Sequence, residues 1–119
     1  SSLIADFINR VREPFNVNFT AQVAAIAALQ DDYYLSESIK LNSNGYEQLV
    51  GCFKALQLNF IPSHANFIAV EFDDAMGIYN ALLKEGVIVR PVEMSGYLRI
   101  SIGTFEENEH LIAALNKIL

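Results

Sequence analysis

Apolar positions recur along this chain with two different periods, helical over the first half and alternating over much of the second. Leu3, Ile4, Phe7, Ile8 and Val11 fall at helical spacing, which predicts a helix from about Ser2 to Arg12 with Ser1 or Ser2 as its cap, ended by Pro14. Pro14-Phe15-Asn16-Val17-Asn18-Phe19 is rich in Asn and reads as an ordered loop. Thr20 then caps a second helix, Ala21 to about Gln30, which is apolar on every side and is therefore expected to be buried. From Tyr33 or Tyr34 onward, positions 35, 39, 42, 46, 49, 53 and 56 alternate steps of four and three, the stripe of one long helix. Asn42 on that stripe and Gly45 within it are its weak points, the glycine costing about 1 kcal/mol relative to alanine.

Beyond residue 57 the texture changes to short strands. Leu58-Asn59-Phe60-Ile61 ends at Pro62, and Asn66-Phe67-Ile68-Ala69-Val70-Glu71-Phe72 is β-branched and aromatic. Asp73 or Asp74 caps a helix that Gly86 closes, and Val87-Ile88-Val89-Arg90 reads as a strand ended by Pro91. In Gly96-Tyr97-Leu98-Arg99-Ile100-Ser101-Ile102-Gly103-Thr104, Leu98, Ile100 and Ile102 share one face, and Tyr97, Arg99 and Ser101 the other. Thr104-Phe105-Glu106-Glu107 is a capping box launching the last helix, with Leu111, Ile112, Leu115 and Ile118 inward. The connection from Arg90 to Tyr97 is too short for a helical crossover, so those two strands should pair antiparallel. The expected fold is α+β: three or four strands, antiparallel or mixed, with helices on one face, preceded by long helices, all within a single domain over residues 1–119.

Composition narrows the classes. At 119 residues, 52% of them apolar and 18% charged, the chain can build a real core, and the low charge leaves apolar surface for a partner or for the rest of a longer polypeptide. A net charge of -6 with scattered Lys and Arg argues against nucleic acid as a partner. No run reaches the ~18 apolar residues of a membrane span. The single Cys52 excludes an internal disulfide framework and fits a reducing compartment, the cytoplasm. The chain opens without Met directly into a helical pattern, which suggests a fragment.

No reaction centre stands out. His64 and His110 lack ligand spacing, so no metal site is expected, and the paired acids Asp31-Asp32, Asp73-Asp74 and Glu106-Glu107 fall where helices begin or break. The four lysines, at 40, 54, 84 and 117, lie in helical segments, none placed as a Schiff-base residue. Arg90 and Arg99 remain. Arginine offers a planar fork that matches a carboxylate or phosphate, and these two could converge on one anion beside Tyr97 and Asn66. The competing reading is a solvated strand face, and spacing by itself favours that.

The runs Asn9-Arg10-Val11-Arg12-Glu13-Pro14-Phe15-Asn16-Val17-Asn18, Pro62-Ser63-His64-Ala65-Asn66-Phe67, Gly86-Val87-Ile88-Val89-Arg90-Pro91 and Leu98-Arg99-Ile100-Ser101-Ile102-Gly103-Thr104, completed by Glu106-Glu107-Asn108, carry a resemblance. In order and spacing they resemble the C-terminal part of the histidinol-phosphate aminotransferase family, fold-type I pyridoxal-phosphate enzymes. The resemblance implies a small domain with the interdomain helix, in which Arg99 holds the substrate's anionic group, Arg90 lies close by, and the Phe15-Asn16-Val17-Asn18 loop approaches the site across a homodimer interface. It implies pyridoxal 5'-phosphate as cofactor of the full-length enzyme, with glutamate and a phosphorylated small-molecule amine as substrates. The Schiff-base lysine and most cofactor contacts would belong to a large domain upstream, so this chain alone would bind no cofactor and hold no catalytic residue. The connection Pro91 to Leu98 is shorter than the family's usual one, which bears on Arg90 more than on Arg99. Another fold-type I aminotransferase, a phosphothreonine decarboxylase, or a non-catalytic α+β ligand-binding or dimerisation module are the alternatives.

Overall fold

The computed structural model describes residues 2–12 and 17–119. The elements run α1 (Ser2–Val11), α2 (Phe19–Leu29), α3 (Asp32–Ala55), β1 (Phe60–Ile61), β2 (Phe67–Glu71), α4 (Ala75–Lys84), β3 (Arg90–Pro91), β4 (Tyr97–Ser101) and α5 (Phe105–Ile118). They fall into two compact units, Ser1–Ser36 and Glu37–Leu119, with α3 beginning in the first and continuing into the second. The Ser1 cap, the stop at Pro14 and the Phe15-Asn16 part of the Asn-rich loop lie outside the described residues.

In the first unit, α1 is amphipathic and carries an Arg10–Asp6 ion pair of 2.7 Å between exposed side chains one turn apart. The start of α2 differs from the expectation of a Thr20 cap. Asn18 is the cap, in extended conformation, its side-chain oxygen accepting the Ala21 amide at 2.8 Å, and Thr20 lies inside the first turn. The expectation that α2 is buried also fails: no residue of α1 or α2 is buried, and Phe19, Ile26 and Leu29 are 79%, 57% and 72% exposed.

The second unit is a four-stranded sheet in the order β1-β2-β4-β3, every neighbouring pair antiparallel. The alternation read from the sequence sets its two faces. Ile68, Val70, Leu98 and Ile100 point into a core completed by Leu49 and Phe53 of α3, Leu82 of α4, and Leu111, Ala114 and Leu115 of α5. Burying each such side chain contributes about 1.5–3 kcal/mol relative to exposure. The helices thus cover one face, as expected, and Phe67, Ala69, Glu71, Tyr97, Arg99 and Ser101 line the other.

Two strands are shorter than the residue pattern suggests, and helix termination is the reason. Gly86, at φ 79°, closes α4 so that its amide donates to Leu83 and that of Val87 to the Leu82 carbonyl, committing both to the cap. Pro91 has no amide to continue the ladder, so β3 reduces to Arg90–Pro91. The same arrangement ends α3, with Gln57 at φ 57° and the Leu58 amide donating to Phe53, which leaves β1 only Phe60–Ile61. The α3 stripe is divided as well. Gly45, Leu49 and Phe53 are buried and Tyr46 partly so, while Leu35 and Ile39 are exposed.

Candidate anion-binding face

Register brings the two arginines together. Arg90 of β3 is the direct partner of Arg99 of β4, and residues directly opposite in an antiparallel pair project to the same face with Cβ atoms about 4.5–5.5 Å apart. Like charges facing each other are unfavourable unless something anionic joins them. Among the described residues the ion pairs are Arg10–Asp6, Lys40–Glu37 and Lys117–Glu85, so no carboxylate pairs with either arginine. Arg90 is exposed and Arg99 partly buried. The Arg99 guanidinium carbon sits 4.7 Å from the ring centroid of Phe67, and its buried Nε has no hydrogen-bond partner among the described residues. Glu71, on the same face opposite Tyr97, instead accepts from Asn59 Nδ2 at 3.1 Å.

Asn66 stands one residue before β2 and is exposed; its carbonyl accepts the Ile102 amide at 2.9 Å. That backbone bond ties the turn before β2 to the exit of β4.

Sequence reasoning missed what holds this strand. Asn108, 1% exposed, accepts the Gly103 amide through Oδ1 at 3.0 Å, and its Nδ2 donates to the Gly103 carbonyl and to Gln48 Oε1. Gln48 in turn donates to Glu109 at 2.7 Å. Gly45 lets α3 approach this turn, since a Cβ there would lie 2.6 Å from Ile102 Cγ2 and 2.9 Å from Asn108 Nδ2. Signals existed for both. Asn108 continues the inward 111 and 115 stripe of α5 one turn back, and Gly45 lies on the buried side of α3. The Thr104 box forms in both directions, with Glu107 Oε2 accepting the Thr104 amide at 2.8 Å, and so fixes the start of α5 directly after the turn.

A cleft of about 640 Å³ opens between the Gly86–Val89 segment, the Ile100–Gly103 turn and the start of α5, but neither arginine lines it. No cluster of metal-ligating side chains occurs among the described residues. No helix among them is long and apolar enough to cross a membrane. The residues present suit the anionic end of a ligand and not the aldehyde of pyridoxal phosphate, which requires a lysine amine. Lys40, Lys54, Lys84 and Lys117 lie on the helices, the last engaged with Glu85 at 2.7 Å, and none is on the arginine face.

The four-stranded antiparallel sheet with its helices is an α+β unit of the kind found in fold-type I aminotransferases. A family model described as aminotransferase class I and II matches residues 1–115, and the chain belongs to that family. The histidinol-phosphate aminotransferase 2 of Pseudomonas aeruginosa is 54% identical over 123 residues, covering 100% of this chain and 33% of that protein. That of Hydrogenovibrio crunogenus is 51% identical over 118 residues, covering 95% of this chain and 32% of its own length. The solved histidinol-phosphate aminotransferase from Sinorhizobium meliloti, in complex with pyridoxal-5'-phosphate, superposes with a TM-score of 0.73 at 26% identity, over 96% of this chain and 33% of that one. The chain therefore spans about a third of the length of these relatives.

Proposed function

We propose that this chain is the C-terminal small-domain part of a pyridoxal-phosphate-dependent histidinol-phosphate aminotransferase, and that its share of the reaction is to capture the substrate's anionic group. The observation that carries the reading is the register: Arg90 directly opposite Arg99 on an open sheet face, with no carboxylate pairing with either among the described residues. A dianionic phosphate or a carboxylate resolves that repulsion through charge-assisted bonds to planar forks. Arg99 is the principal clamp, because it lies in the central strand β4 and the braced Gly103 turn follows it; Arg90, on the two-residue edge strand β3, assists.

The full-length enzyme transfers an amino group between glutamate and a phosphorylated imidazole-bearing ketone, as a cytoplasmic homodimer, with its large domain carrying the lysine. Pyridoxal phosphate supplies the electron sink when bound there. The residues of this chain bind and orient the anionic end of the substrate and keep the reacting amine at a fixed distance from it.

Arg99→Ala in the full-length enzyme is expected to lower kcat/KM by about 2–4 kcal/mol, mainly through KM for the phosphorylated substrate. An unchanged value would return Arg99 to a solvated surface role. The 119-residue chain by itself is expected to retain no cofactor absorbance after dialysis, and a borohydride-trappable adduct at any of its lysines would refute the division of labour.

A further inference from the structure

The partners of Arg99 in the folded sheet are unequal. On one side β3 places Arg90 directly opposite it, a like charge. On the other side β2 places Ala69 opposite it, too small to fill the space above the pleat, and Phe67 diagonally two residues along on the same face. The guanidinium lies over that ring, with its carbon 4.7 Å from the centroid. The negative face of an aromatic ring attracts a cation, most strongly when water is partly excluded. Here Nε is buried and has no hydrogen-bond partner among the described residues, so the ring is the favourable contact that holds the guanidinium.

We propose that Phe67 is a positioning residue for the anion site, holding the Arg99 guanidinium over its ring, against repulsion from Arg90, so that the terminal nitrogens are already set when the anion arrives. Burial of Nε leaves the Nη1/Nη2 end as the fork available to a ligand. Phe67 touches the arginine and not the reacting atoms, so its effect runs through the orientation of Arg99. A ring already in contact with the cation lowers the ordering cost of binding, as any preorganised contact does. This inference rests on the reading of Arg99 as the anion clamp, and the test separates the two.

In the full-length enzyme, Phe67→Leu keeps an apolar side chain but removes the ring face, and is expected to raise KM for the phosphorylated substrate about 3- to 30-fold, more than it lowers kcat. Phe67→Tyr, which keeps the ring, is expected to restore KM to near the original value. On an Arg99→Ala background, Phe67→Leu is expected to change KM no further, because the group it orients is gone. Phe67→Met serves as the second non-aromatic variant if the leucine protein folds poorly. An unchanged KM in the leucine and methionine variants, or an equal rise with and without Arg99, would overturn the positioning role while leaving the clamp standing. An Arg99→Ala enzyme with unaltered KM would overturn the clamp itself, and the positioning role with it.

Discussion

Helices α2 and α5 invert what composition alone suggests. Helix α2, FTAQVAAIAAL, is apolar on nearly every side and has no buried residue. Helix α5, FEENEHLIAALNKI, carries five ionisable side chains in fourteen residues and buries Asn108, Leu111, Ala114 and Leu115. The difference is one of partners. The apolar residues of α5 form a stripe that meets a sheet face whose own alternation is set by the same chain, so both surfaces are supplied locally. Uniform hydrophobicity gives α2 no preferred side, and nothing in its own sequence specifies what should cover it. An apolar helix predicts burial only when its partner is present in the same fold.

Truncating an apolar side chain in each region separates them most strongly. Phe53→Ala, at a site with no exposed surface and a ring packed 6.0 Å from that of Phe60, is expected to lower the unfolding free energy of the chain by about 3–5 kcal/mol in urea titrations. Ile26→Ala in α2 should change it by about 0.5 kcal/mol or less. Equal losses at the two positions would show that α2 is buried in solution after all.

Gly45→Ala tests whether the second unit depends on close approach as well as on apolar area. The added methyl meets the β4–α5 turn and should cost about 1–3 kcal/mol, despite the better helix propensity of alanine, whereas the same change at Gly51, where a Cβ meets nothing within 4 Å, should stabilise by up to about 1 kcal/mol. Thermal melts of both variants decide the sign. Thr104→Ala removes one half of the capping box and should cost about 1 kcal/mol.

The smallest effect expected is a chemical one. Burial, and to a lesser degree the charge of Glu109, pushes the Cys52 thiol above its ordinary range. The fold therefore holds that proton more tightly than the unfolded chain does. The associated stability is present below the unfolded thiol's pKa and is lost as pH rises through the folded value. At about pH 8.5, alkylation of Cys52 should be slower in the folded chain than in urea. Faster reaction in the folded state would mean that a neighbouring cation, and not burial, governs the thiol.

Much of the second unit was legible because its signals are local and mutually consistent. The Thr104 capping box, the Asp74 cap, the left-handed Gly86 and the alternation through β2 and β4 each follow from a few neighbouring side chains. The antiparallel pairing of β3 with β4 follows from the length of the connection. The shortened strands did not, because a helix cap and a strand ladder compete for the same amides at Val87 and Leu58, and the residue pattern serves either use. Asn18 and Thr20 are both competent caps, and the choice between them was set by where the chain turns into α2.

Element order, the sheet's two faces and the placing of two arginines on neighbouring strands were legible in the residue pattern. Periodicity and turn chemistry act over a few residues, and the chain states them directly. The register of Arg90 with Arg99, the ring of Phe67 against the Arg99 guanidinium, and the bracing of the following turn by Asn108 and Gly45 come from the folded structure alone. Each of these depends on which residues far apart in the chain face one another. Register is fixed by the whole set of cross-strand and helix–sheet contacts together, so no local pattern encodes it.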